Sequence, residues 1–170
     1  GSRPPPGPRV LALEDLFRRA GVCCRVEPDM IHCIWLKFMG NVSENLPCAL
    51  LGVPYGAYRE GWPADGIRRA LMAEVAAVAR AEAGVELTEE DMALRNRIVY
   101  NQDPASRPST LQDLDRGRQT EVGLFAGAVM RLGEKHGIPT PVSAVMLQGI
   151  RALEAKNAGT IPGLPEAARG

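Results

Sequence analysis

From Asp29 onward the chain has almost no period-two alternation of apolar and polar residues, the pattern a half-buried strand requires. Its apolar residues recur at helical spacing instead. Ile67, Ala70, Leu71, Val75, Val78 and Ala79 line one face of residues 67–83, a segment that Gly84 ends. Thr88 opens the next helix, with Asp91 at its third position, and that helix runs to about Tyr100. Residues 101–108 form a polar loop. Ser109 and Gln112 have capping-box spacing and open a short helix that ends near Gly117. Residues 120–136 read as one helix closed by Gly137. Thr140-Pro141 starts a last one, with proline at the first helical position, that runs to about Lys156. The predicted fold class is therefore all-α, a multi-helix domain.

The upstream residues are organised differently. Residues 10–20 are helical in pattern, with Leu11, Leu13, Leu16 and Phe17 apolar and Arg18 and Arg19 polar, and Gly21 stops them. A short extended piece follows at 22–26. Glu27-Pro28-Asp29 breaks the chain, and Asp29 is a fair N-cap for the helix beyond it. Gly1–Ser2 reads as the scar of a cleaved tag, which marks a segment cut from something longer, and the proline-rich residues to Arg9 as a linker. The expected organisation is a scar and linker over 1–9, a remnant of another domain over 10–28, the helical domain over 29–157 and a tail over 158–170.

Composition excludes several functions. Lys+Arg and Asp+Glu both number 20, so the formal net charge is zero, and no basic excess is available to neutralise phosphates of nucleic acid or an anionic membrane. Aromatic residues make up 5%, too few for base-stacking platforms. No uninterrupted apolar run approaches the roughly 20 residues that span a bilayer. Cys23, Cys24, Cys33 and Cys48 show neither CxxC nor zinc-type spacing, so no metal site is expected. They read as reduced thiols of a cytoplasmic protein, mostly small core residues.

Within the apolar run 31–51, Lys37, Asn41 and Asn45 stand at i, i+4 and i+8. On a helix this stacks an ammonium and two carboxamides on one side, drifting about 40° per step. The stripe borders an apolar face of Ile34, Trp35, Phe38 and Val42. Lys37 has no acid at i±3 or i±4, where Cys33, Ile34, Gly40 and Asn41 stand. Two readings follow: an ordinary amphipathic boundary helix, or a cleft wall whose lysine is free to meet a ligand. Pro47 should kink this helix or end it early.

Other constellations carry the same duality. Glu121 falls in the first turn of the 120–136 helix, where a carboxylate is stabilised by the helix end and could also orient Lys37 or a substrate hydroxyl. Ser109 is a capping residue that could still present its hydroxyl to a carboxylate. Gly123 and Gly127 have close-packing spacing within a soluble bundle. His136 sits at a helix C-terminus, a structural position for a cation. No GxGxxG follows a strand and no P-loop pattern occurs, so this chain forms no dinucleotide cradle of the usual kind by itself.

Trp35, Lys37, Asn41 and Asn45 resemble the start of the C-terminal domain of ketopantoate reductases (2-dehydropantoate 2-reductases), where a tryptophan precedes Lys-x-x-x-Asn-x-x-x-Asn. Ser109-Thr-Leu-Gln-Asp113, Thr120-Glu121, Gly127 and His136-Gly-Ile-Pro-Thr-Pro141 resemble that family's second block. The resemblance spans about 10–155 and makes 10–26 the last helix and strand of an N-terminal domain.

The resemblance implies a helical domain similar to the C-terminal part of 6-phosphogluconate dehydrogenase, preceded in the parent by a Rossmann domain that binds NADPH. It implies hydride transfer to a 2-oxo acid in pantothenate biosynthesis. Lys37 would be the general acid and Glu121 its catalytic partner. Asn41 and Asn45 would position the substrate, and Ser109 would bind its carboxylate. This segment alone would bind no cofactor and be inactive, and its uncovered apolar surface would pair as a homodimer. The chain departs from the family pattern at Tyr55-Gly56, where an asparagine often precedes the glycine, and at Ser106, where another asparagine often stands. Asn45-Leu46-Pro47 shifts the usual Asn-Pro. The alternative is a non-catalytic helical dimerisation module, but packing alone gives little reason to keep Lys37, Asn41, Ser109 and Glu121 together.

Overall fold

A computed structural model describes residues 6–163, and among them no β-strand occurs. The all-α expectation holds. The tag scar and residues 164–170 of the expected tail lie outside the described residues. The helices are α1 Pro8–Arg19, α2 Met30–Gly40, α3 Leu46–Leu51, α4 Pro63–Ala83, α5 Glu89–Tyr100, α6 Ser109–Asp115, α7 Ala126–His136 and α8 Pro141–Asn157. Helix α1 takes in Pro8 and Arg9 of the expected linker, because a proline at the first helical position gives up no hydrogen bond there. The piece after it, 22–26, is irregular and pairs with no strand. None of the residues of α1 is buried.

The core belongs to the remaining helices. Leu71, Val75, Val78 and Ala79 of α4 pack with Met39, Val42, Leu46, Val129, Met146 and Ile150, so α4 forms the spine of the bundle. It starts at Pro63, four residues before the first apolar residue of its predicted face. Thr88 and Asp91 form the predicted capping box of α5, and Asp91 also meets His32 Nε2 at 3.0 Å, which ties the start of α2 to α5.

Between α2 and α3 the helix does not end early at Pro47 but runs on to Leu51. It widens into a π turn over Asn41–Asn45 and continues. Proline lacks an N–H, and its ring crowds the carbonyl four residues back. A wider turn relieves both problems. Tyr58, 1% exposed, completes it: its hydroxyl donates to the Glu44 carbonyl at 2.6 Å and lies 3.5 Å from that of Ser43. Both carbonyls belong to the turn that Pro47 interrupts.

Two expected helix starts differ from the structure, and a third keeps its place but not its capping bond. Thr140 does cap α8 by position, but its side chain makes no capping bond. Instead Glu74 of α4 accepts from the backbone N–H groups of Val142 and Ser143 at 2.7 and 2.9 Å. The box expected at Ser109 does not form. Helix α6 starts one residue earlier than that box requires, with Pro108 as N-cap, and Gln112 donates to the Arg107 carbonyl. Residues 120–125 are turns rather than helix, so α7 begins at Ala126. The N–H and hydroxyl of Thr120 both donate to Glu154 of α8, which holds the segment down from outside.

Smaller corrections follow from burial. Only Cys48 of the four thiols is buried; Cys23 and Cys24 are exposed and Cys33 is half-buried. Gly127 packs within the bundle as its spacing predicts, whereas Gly123 faces open space. Ile34, expected on the apolar face, is 54% exposed.

Candidate functional site

Lys37 lies on the last turn of α2, exposed, and its side chain makes no hydrogen bond or ion pair to any described residue. Asn41 opens the π turn and Asn45 closes it, both half-buried. The wider turn advances less rotation per residue than an α-helix and so offsets the outward drift expected of the stripe. Asn45 Oδ1 accepts from the Tyr55 hydroxyl at 2.9 Å. Ser109 opens α6, exposed, and α6 packs against the π turn.

Glu121 is exposed and does not stand in the first turn of a helix as expected. Its carbonyl accepts from the N–H groups of Leu124 and Phe125. The carboxylate that caps this segment is Glu154. One aromatic contact brings the 121–125 turn toward α2: Phe38, which meets Trp35 of the same helix edge-on at 5.6 Å, meets Phe125 at 6.4 Å between centroids. Lys37 and Glu121 thus belong to segments joined through Phe38 and Phe125, but no ion pair within 4.0 Å links their side chains.

Beneath the stripe lies a buried polar network that the sequence reading missed. Glu44, 4% exposed, receives Arg95 in a bidentate pair, with Nε to Oε1 at 2.9 Å and Nη2 to Oε2. Burial pushes the Glu44 carboxyl above the usual carboxylate range, although the Arg95 bonds and charge oppose it. Arg95 reaches it across Gly40, where any Cβ would overlap the guanidinium. Arg68 is fully buried between the rings of Tyr58 and Tyr100, at 5.7 and 5.6 Å, and donates to Asp65 at 2.8 Å. Asp65 also takes bonds from Arg69 at 2.7 Å and the Tyr100 hydroxyl at 3.0 Å. Burial raises the Asp65 carboxyl, but the hydrogen bonds from Arg69 and Arg68, the Arg68 charge and Tyr100 outweigh it and hold it below the ordinary range. No buried side-chain nitrogen or oxygen lacks a partner among the described residues.

This network fixes the π turn from below. Gly40→Ala should gain about 1 kcal/mol of helix propensity. It should also push Arg95 off Glu44, and a buried carboxylate short of donors costs about 1–3 kcal/mol or more. The net expectation is destabilisation, read as a lower midpoint in urea.

His136 meets Glu82 at 2.6 Å beside Lys135, the structural helix-end role expected of it. Among the described residues no group of three His, Cys, Asp or Glu could hold a metal, and no helix is long and apolar enough to cross a membrane.

Comparison with known proteins agrees with this architecture. Residues 29–154 match the family model described as the C-terminal part of ketopantoate reductase PanE/ApbA. A 2-dehydropantoate 2-reductase from Vibrio cholerae is 34% identical over 152 residues, covering 87% of this chain and 49% of that protein. A solved PanE/ApbA family ketopantoate reductase from Ralstonia eutropha superposes with a TM-score of 0.79 at 33% identity, covering 90% of this chain and 51% of that one. A D-mandelate dehydrogenase solved with NADH and anilino(oxo)acetate superposes with a TM-score of 0.77 at 26% identity, covering 86% of this chain and 61% of that one. The chain spans about half the length of the curated relatives it matches. It belongs to the ketopantoate reductase family and corresponds to that family's C-terminal helical domain.

Proposed function

We propose that this chain is the substrate domain of an NADPH-dependent reductase of a 2-oxo acid, of the ketopantoate-to-pantoate type, in the cytoplasm. The observation that carries the reading is Lys37. It stands bare at the edge of an apolar face, in line with two carboxamides, beside the segment that holds Glu121. An ammonium so placed can give its proton to the oxygen of a ketone as that carbon takes up hydride. With the substrate bound, Glu121 would meet its hydroxyl and hold the lysine, Asn41 and Asn45 would position the acid, and Ser109 would bind its carboxylate.

The described residues do not fit the dinucleotide itself. They contain no strand from which a glycine-rich phosphate cradle could spring. In this reading the dinucleotide, which supplies the hydride, is held by a separate Rossmann domain, and residues 10–28 go with that domain. The complete lack of burial in α1 supports that boundary. The 170 residues alone are then expected to show no turnover.

The reading is tested by joining this segment to its native upstream half and assaying ketopantoate and other 2-oxo acids with NADPH. Turnover of at least one acid supports it. A folded protein that reduces none of them favours the alternative, a helical dimerisation module. One observation speaks to that alternative: Met30, Ile31 and Ile34 of α2 are each 54% exposed on one stretch of helix. Apolar patches of this kind tend to pair. Sedimentation of the 170-residue chain should therefore show dimers at high concentration, and a well-behaved monomer would contradict this.

A further inference from the structure

Tyr55 stands at the first of the chain's departures from the family pattern and Ser106 at the second, and the fold brings the two together. The Tyr55 N–H donates to the Ser106 carbonyl at 3.0 Å, and the Gly56 N–H donates to the Pro104 carbonyl at 2.9 Å. Gly56 permits this approach, since a Cβ there would meet the Pro104 oxygen at 2.8 Å. The loop so held leads into α6 and Ser109. The Tyr55 ring leans on Tyr58, 6.3 Å between centroids, and its hydroxyl donates to Asn45 Oδ1 at 2.9 Å. Burial, with Glu44 nearby, pushes the Tyr55 phenol up to about 12, so it remains a donor across the working pH range.

A carboxamide has one accepting face and one donating face. Here the accepting face is taken by Tyr55, whereas Nδ2 donates to no described residue. We propose that Tyr55 is a positioning residue for substrate recognition, turning the Asn45 amide so that Nδ2 is offered as a donor to an oxygen of an anionic 2-oxo acid. This rests on the reading of Asn45 as a substrate ligand given above. It makes Asn45 selective for acceptor groups: a carboxylate or carbonyl oxygen is welcomed, whereas a hydroxyl must give up its own proton elsewhere. It also leaves an aromatic ring, with its polar atom already used, where the family pattern often has a second amide.

The test uses the complete reductase and its 2-oxo acid. Tyr55→Phe removes one oxygen atom and frees the Asn45 amide to rotate. KM is expected to rise about fivefold, the factor that one net hydrogen bond is worth, while kcat stays within about twofold. In an Asn45→Ala background the same change should add nothing to KM, because the amide it orients is gone. Asn45→Asp keeps an acceptor for Tyr55 but deletes the donor, and it should raise KM at least about tenfold with an unchanged melting temperature. If Asn45→Ala leaves KM unchanged, Asn45 is not a substrate ligand, and the broader reading of this residue fails along with the inference. If Asn45→Ala raises KM but Tyr55→Phe does not, or if the two effects simply multiply, only the positioning role is overturned. Asn45→Asp with a wild-type KM would overturn it as well, and that result does not depend on how the tyrosine variant folds.

Discussion

Replacing Lys37 with methionine in the complete reductase is expected to lower kcat about 10²–10⁴-fold, the range for loss of a general acid. The substitution keeps an unbranched side chain of similar length and removes only the ammonium. The Lys37 side chain bonds to no described residue and is exposed. Its removal therefore breaks nothing in the domain, and stability should stay within about 0.5 kcal/mol. That separation makes the experiment informative. A large loss of turnover in an equally stable protein assigns the lysine to chemistry, because kcat and kcat/KM fall together when an interaction peculiar to the transition state is lost. A kcat within tenfold of wild type would remove Lys37 from the mechanism.

The second large effect concerns the support beneath the stripe. Asp65→Ala should destabilise the domain by about 3–5 kcal/mol, the cost of leaving a buried partner charge alone. Arg68 is 0% exposed, and Asp65 is its carboxylate partner. It cannot turn to water without tearing α4 from the rings of Tyr58 and Tyr100. Tyr58 in turn holds the carbonyls of the π turn, so the damage reaches Asn41 and Asn45.

The same carboxylate sets a pH dependence. Its folded-state value lies below the unfolded one, so it contributes stability above the ordinary aspartate range, and that contribution is lost as pH falls through the folded value. Denaturant titrations at a series of acidic pH values should show this slope in the wild type and a flatter one in Asp65→Asn. A loss of less than about 1 kcal/mol in Asp65→Ala would show that the pair is not what holds α4 in place.

How much of this was legible depended on whether a signal was answered locally. The capping box of Thr88 and Asp91 closes within four residues, and it forms as read. Pro141 starts α8 and Gly84 ends α4 for equally local reasons. Two local capping signals are replaced by partners from far along the chain. Glu74 takes over the N–H groups that Thr140 could have capped, and Glu154 anchors Thr120 so that the following residues need not be helical. Pro47 is a clear disturbance in the sequence, but the Tyr58 hydroxyl that satisfies a carbonyl of the resulting π turn arrives from a later segment.

The candidate site divides the same way. The stripe of Lys37, Asn41 and Asn45 is visible in spacing alone, and Glu121 and Ser109 are visible as helix-start residues, whereas their joining into one substrate site comes from the family resemblance. The supporting network did leave a trace. Glu44 lies three and four residues before Pro47 and Cys48, and Arg68 three and four before Leu71 and Met72, so both charges fall on apolar faces. A charge on such a face demands a partner. Naming Arg95 and the paired rings required the fold.

The account is tested most directly by a crystal structure of the complete reductase with its dinucleotide and an unreactive 2-oxo acid analogue. Lys37 Nζ should lie about 2.7–3.2 Å from the 2-oxygen of the analogue, with Glu121 touching the same ligand and Asn45 Nδ2 donating to one of its oxygens. An analogue bound away from α2, or Lys37 and Glu121 on opposite surfaces with no cavity between them, would contradict it.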